Sequence, residues 1–163
     1  MLAGAGTPWL DVPYVGQTAQ GCGPAAVAMV MQYWVRHDAR VDAAAADENA
    51  VRKALPPSRG GVFGQAMRAY LASHGFDAFV FRGTEDDLAH HVGKGRPVVV
   101  CLAPAGARGP LHYVVVAGTG PGAVVLNDST RGKLIREDPA RFRAWWKEAG
   151  NWALLAVPSA AAR

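Results

Sequence analysis

Gly16-Gln17-Thr18-Ala19-Gln20-Gly21-Cys22-Gly23-Pro24-Ala25-Ala26 sets a cysteine between two glycines, directly ahead of a proline and an apolar run. Proline suits the first turn of a helix, where its missing N–H would have had no intrahelical partner. The spacing predicts a helix over about residues 24–35. Ala25, Ala26, Val27, Ala28, Met29, Val30 and Met31 make it apolar on every face. A surface helix shows one apolar stripe, so this one is expected to be buried on most sides. A cysteine at its start meets unpaired N–H groups and the positive end of the helix dipole, which favour thiolate over thiol. Gln17, upstream in the same loop, can bring an amide donor close to that sulfur. Taken alone, the stretch also fits a small-residue loop with Cys22 as apolar filler.

Composition narrows the choice. The chain has 163 residues, half of them hydrophobic and 18% charged, which is the profile of one globular domain, residues 1–163, with a real core. The net charge of +4 comes from scattered arginines without a lysine/arginine run, so nucleic-acid binding is not expected. Two cysteines, Cys22 and Cys101, exclude a disulfide framework, although one bridge between them stays open. Neither has metal-ligand spacing, and no phosphate-binding glycine loop occurs, so no cofactor and no metal are expected. No apolar run is long enough to span a membrane. Residues 1–6 lack the charged and apolar regions of an export signal. The compartment stays open: cytoplasmic, or periplasmic or extracellular if the N-terminus is trimmed.

Outward from the cysteine loop, Trp9-Leu10-Asp11-Val12-Pro13-Tyr14-Val15 reads as an extended lead-in. Asp42, the alanine run 43–46 and the stop at Leu55-Pro56-Pro57 predict a second helix capped by Asp42. Gly60-Gly61 breaks the chain before a third helix over residues 63–73, with Gly75 as its C-cap and His74 as a helix-end residue. A strand is expected at 76–81. A helix follows from Thr84 to about residue 93, with Thr84 as cap and Glu85, Asp86 and Asp87 in its first turn. The nearby His90-His91 pair reads as a solvated face rather than a metal site. Val98-Val99-Val100-Cys101-Leu102 predicts a buried central strand, which makes Cys101 structural. Residues 111–117 and 123–128 read as two strands joined by a Gly-rich turn. Asp138-Pro139 starts a helix to about residue 148, with Phe142, Trp145 and Trp146 on its core side. A last strand is expected at 151–157. Helices first and hairpin-connected strands later imply an α+β fold with a mainly antiparallel sheet. Tyr14, Trp34 and Tyr113 can line a groove, although such aromatics are more often core.

His112 opens one strand and Asp128 closes the next, which places them at the same end of a hairpin. A carboxylate on one imidazole nitrogen holds the tautomer and leaves the other nitrogen for a nucleophile. If the Cys22 helix packs across that end, a thiolate–imidazolium pair results. Gln17 and the Cys22 N–H would then face a developing oxyanion.

These motifs, in this order, resemble the C39 family of papain-like cysteine peptidases, in particular its stand-alone bacterial members. Val12-Pro13-Tyr14 through Gln17, with Cys22-Gly23-Pro24-Ala25-Ala26, resembles the cysteine motif, and the stretch from Gly60-Gly61 to Gly75 its middle region. Lys94-Gly95-Arg96-Pro97-Val98 resembles the lead into the core sheet. His112-Tyr113-Val114-Val115-Val116 resembles the histidine motif, Val125-Leu126-Asn127-Asp128 the aspartate motif, and the segment 142–158 the tail. The resemblance implies a papain-like fold whose central helix carries Cys22 against the C-terminal sheet. It implies Cys22 as nucleophile, His112 as general base and then acid, Asp128 as orienting carboxylate and Gln17 as oxyanion donor. Transporter-linked members usually carry an aspartate before the cysteine and a glutamine six residues upstream. Gly21 and a spacing of five stand here, as in the stand-alone branch. Ser129 follows Asp128 where members often have proline, which keeps Asn127 open as an alternative orienting group. Only one of these two neighbours can serve, since a one-residue step turns a side chain to the other face.

The implied activity is hydrolysis of peptide bonds through an acyl-enzyme, with a peptide or protein substrate and leader or precursor peptides as one candidate class. The chain is expected to act as a monomer. Acyl or amide transfer by the same triad, and a peptide-binding domain with an idle triad, are the alternatives.

Overall fold

Val98-Val99-Val100-Cys101-Leu102 forms a strand buried along its whole length, because helices cover both faces of the sheet it belongs to. A computed structural model of the chain describes residues 7–16, 21–56 and 64–160. Gln17, Gly60, Gly61 and Phe63 lie outside the described residues. In chain order the elements are α1 (Cys22–His37), α2 (Glu48–Ala54), α3 (Gly64–Ser73), β1 (Phe76–Arg82), α4 (Glu85–Gly93), β2 (Val98–Leu102), β3 (His112–Thr119), β4 (Val124–Asp128), β5 (Gly132–Glu137), α5 (Pro139–Glu148) and β6 (Trp152–Pro158).

The strands form one antiparallel sheet in the order β1-β6-β2-β3-β4-β5. Side chains alternate between its faces. Val99, Val115, Ala117, Val125 and Leu154 meet the core built with α1, α2 and α3. Val98, Val100, Val114, Val116, Leu126 and Leu155 meet the core built with α4 and α5, around Phe142 and Trp146. The α+β expectation stands, with N-terminal helices packed on a mainly C-terminal antiparallel sheet.

Helix α1 is buried from Gly23 through Met31, as an all-apolar run requires. It starts at Cys22, two residues before the expected position, because Gly21 accepts the first intrahelical bond from the Ala25 N–H at 2.9 Å. Thr84 caps α4 in a reciprocal box with Asp87, and Asp138 caps α5 ahead of Pro139.

The second helix is corrected. It is capped by Asp47, whose side chain accepts from the Asn49 and Ala50 N–H groups, and not by Asp42. Residues 43–46 are turns despite their alanine content. The Asp42 carboxylate takes the Ala44 N–H at 2.9 Å in a local Asx contact. The carbonyls of Ala45 and Ala46 accept from Tyr70 Oη at 2.6 Å and Gln32 Nε2 at 3.0 Å. Tertiary bonds thus outweigh an alanine preference of a few tenths of a kcal/mol per residue. Strand β5 is also absent from the sequence reading, since its charged residues Lys133, Arg136 and Glu137 hide any apolar alternation.

The lead-in 7–15 runs against the end of β3. Its Leu10 N–H bonds the Ala117 carbonyl at 2.8 Å, beside a register shift between Val116 and Gly118. A Cβ on Gly118 would stand 2.5 Å from the Pro8 carbonyl oxygen. Gly118→Ala is therefore expected to push the lead-in off β3 and destabilise the fold by about 1–3 kcal/mol. Urea unfolding should show a lower midpoint with an unchanged slope.

Candidate active site

The β3–β4 register pairs Val116 with Leu126 and Val115 with Asn127. One further step sets Asp128 opposite Val114, so His112 is its diagonal neighbour on the same face, within reach of a long side chain. His112 Nε2 lies 2.7 Å from Asp128 Oδ1. With Nε2 engaged by the carboxylate, Nδ1 is the ring nitrogen left for the sulfur, and the Cys22 thiol is hydrogen-bonded to this imidazole. Cys22 stands at the first residue of α1, where the N–H groups of Gly23 and Tyr113 also donate to its sulfur. Cys22, His112 and Asp128 are thus brought together from α1, β3 and β4.

The electrostatics follow from burial and bonding. Burial pushes the Cys22 thiol up, but the imidazole and the two backbone donors outweigh it and hold the thiol below its ordinary value. Burial pulls His112 down, yet its bonds to Asp128 and Cys22 raise it to about 9. The Asp128 carboxyl is pushed up by burial and held well below the usual carboxylate range by His112 and by the Thr130 hydroxyl and N–H. An imidazolium facing a thiolate is the charge state this arrangement favours.

Asn127 points to the other face. Its Nδ2 donates to the carbonyls of Val12 at 2.9 Å and Pro13 at 3.1 Å, and its Oδ1 accepts the Leu134 N–H at 2.9 Å. It ties the lead-in to the β4–β5 pair, at a position where Leu134 takes a left-handed backbone (φ 51°). Cys101 is buried and Cys22 only partly so; both are free thiols, and burial pushes the Cys101 thiol to about 12. His74 follows α3, with its Nδ1 2.7 Å from the Tyr70 carbonyl. Among the described residues no group of three or more His, Cys, Asp or Glu side chains is placed to hold a metal ion. Trp34 packs on the core and donates to the Ala156 carbonyl, whereas Tyr14 is exposed, with its hydroxyl on the Ser129 carbonyl. Tyr113 lies near Cys22 and packs edge-on against Trp152.

The sequence reading missed the groups behind Asp128. Thr130 donates its N–H at 2.9 Å and its hydroxyl at 2.7 Å to Oδ1, and Arg131 Nε lies 3.3 Å from Oδ2. The available signal was an aspartate opening a polar turn, which favours such local bonds.

The sequence profile of the Peptidase_C39 like family matches residues 9–154, most of the chain. The chain belongs to this family. Comparison with curated proteins gives no match. Among solved structures, this C39-like chain is similar to the double glycine motif protease of an AMS/PCAT transporter, crystallised with the leader peptide. The two are 21% identical over 93% of this chain and 94% of that one, with a TM-score of 0.71. It is also similar to a putative C39-like peptidase from Bacillus anthracis, at 18% identity over 95% and 99% of the two chains and a TM-score of 0.73. The peptidase domain of Streptococcus ComA, a bi-functional ABC transporter in a quorum sensing pathway, aligns at 19% identity over 90% and 98%, with a TM-score of 0.69. The C39 family and its papain-like fold are therefore both established for the chain.

Two variants separate the neighbours at the end of β4. Asp128→Asn removes the charge that raises His112, so the upper transition in the pH dependence of Cys22 alkylation should move down from about 9. Asn127→Ala leaves buried carbonyls and an N–H unpaired and should lower unfolding free energy by about 1–3 kcal/mol, with that transition unmoved. The reverse pattern would make Asn127 the orienting group.

Proposed function

We propose that this C39-like chain is a cysteine peptidase that cleaves peptide bonds through an acyl-enzyme on Cys22. The observation that carries the reading is the imidazole of His112, bonded to Asp128 on one side and to a thiol at a helix N-terminus on the other. In this mechanism the Cys22 thiolate attacks the scissile carbonyl carbon. The oxyanion is met by the Cys22 N–H, one of the first four of α1 and so without an intrahelical partner, and by the Gln17 amide. The imidazolium of His112 gives its proton to the departing amine as the C–N bond breaks. His112 then takes a proton from water as its oxygen attacks the thioester carbon, and the C–S bond breaks to release the acid and restore the thiolate beside the imidazolium. Asp128 keeps the ring oriented and stabilises its charged form. The role of Gln17 rests on the family resemblance of its motif. A precursor or leader peptide is the proposed substrate class, supported by the similar protease crystallised with its leader peptide.

A peptide-library digest read by mass spectrometry tests this. Wild type should generate cleaved products, Cys22→Ala none, and Gln17→Ala products at a rate lower by about 10²–10³, as for loss of one oxyanion donor. Amine adducts in place of hydrolysis would make the chain a transferase. No Cys22-dependent product from any peptide, with biological activity retained in Cys22→Ala, would leave a binding domain.

The charge state has its own test. Iodoacetamide near pH 6 should modify Cys22 selectively and leave Cys101 untouched, because a free thiol of pKa about 8.5 is almost wholly protonated there. Modification no faster than such a thiol would overturn the ion pair.

A further inference from the structure

Behind Asp128 the structure holds a line of alternating charges. Residues 128–131 form a turn closed by the Arg131 N–H on the Asp128 carbonyl at 3.0 Å. This turn carries the Arg131 guanidinium back over the carboxylate, with Nε at 3.3 Å from Oδ2. Its two terminal nitrogens donate to Glu137 Oε2 at 2.9 and 2.8 Å. The Glu137 side chain is 3% exposed, and its other oxygen takes the Asp138 N–H at 3.0 Å and lies 3.4 Å from the Arg141 guanidinium. The sequence from the active site outward is thus His112, Asp128, Arg131, Glu137, Arg141, with the sign changing at each step once His112 is charged.

We propose that Arg131, clamped by the buried Glu137, is a positioning residue that fixes the Asp128 carboxylate and sets the proton affinity of His112 through it. The proposal rests on the reading of Cys22, His112 and Asp128 as the reacting set. Oδ1 is fully used by His112 and Thr130, so the contact on Oδ2 decides the orientation of the carboxylate plane. A cation placed beyond a carboxylate also weakens the pull of that carboxylate on an imidazolium, and an anion placed beyond the cation restores it. Glu137 is buried deeply enough for its charge to be little screened, whereas Arg131 is about two-fifths exposed. The other titratable group acting on His112 is the thiol of Cys22 on α1, beside which stand the Cys101 thiol on β2 and the Tyr113 phenol on β3. Burial holds the last two near 12, so they stay neutral across the working range.

The sign of each variant follows. Glu137→Gln leaves Arg131 less compensated beside Asp128, so the imidazolium loses support and its deprotonation moves to lower pH. Arg131→Gln removes the competing cation, so deprotonation moves to higher pH. Arg131→Lys keeps the charge but not the planar fork, so its transition should fall below that of Arg131→Gln.

The test is the pH dependence of Cys22 alkylation by iodoacetamide, followed by mass spectrometry on full-length protein shown by circular dichroism to be folded. It needs no substrate. The parent should show modification at low pH and an upper transition near 9. Glu137→Gln should shift that transition down, and Arg131→Gln up, by about half a pH unit or more. A merely structural role would lower stability in both variants without opposite shifts. Unmoved transitions in folded variants would overturn the positioning role and leave the peptidase reading intact. Absence of low-pH modification in the parent would instead overturn the ion pair itself. If Glu137→Gln does not fold, Arg131→Gln against Arg131→Lys decides: equal transitions in the two overturn the proposal.

Discussion

The 2.7 Å contact between His112 Nε2 and Asp128 Oδ1 is the constraint on which the site depends. It forms only because β3 and β4 pair in one register, with their diagonal positions on one face of the sheet. With the ring held, its second nitrogen is left for the Cys22 thiol, and the directions in which the three groups titrate follow from that pairing. A slip of one residue would exchange Asp128 for Asn127 and replace a buried charge by an amide. The register is held from behind by apolar side chains on both faces, and at the site by Thr130 and Arg131 on the carboxylate.

Helix α1 meets the opposite requirement. Its buried body locks its position against β3, while Cys22 at its tip is only partly covered. The combination gives the thiol a rigid base and one side left partly open. The lead-in is held likewise, since Asn127 and the Ala117 carbonyl keep its backbone beside the sheet.

Much of the architecture was legible in the chain. Residues 24–35 announced a buried helix through apolar character on every face, residues 98–102 a central strand, and Thr84 and Asp138 two helix starts, because these signals are local and strong. The second helix misled because alanine preference is weak. Tyr70 and Gln32, distant in sequence, took the carbonyls that a longer helix would have used. Strand β5 was missed because an edge strand exposed on one side carries charged residues. The site was legible in part: order and residue type brought out Cys22, His112 and Asp128, but nothing local pointed to Arg131 or Glu137.

By itself the sequence determined most of the helix and strand segments and which few side chains had chemistry to offer. These depend on residue type and spacing within a turn or a strand. The tertiary structure alone decided that Asp128 and not Asn127 meets the imidazole, that Asp47 and not Asp42 caps α2, and that Glu137 anchors the charge behind the site. Each of those outcomes turns on register, on the direction of a side chain or on a partner far along the chain. Such contacts are settled only when the whole core packs at once.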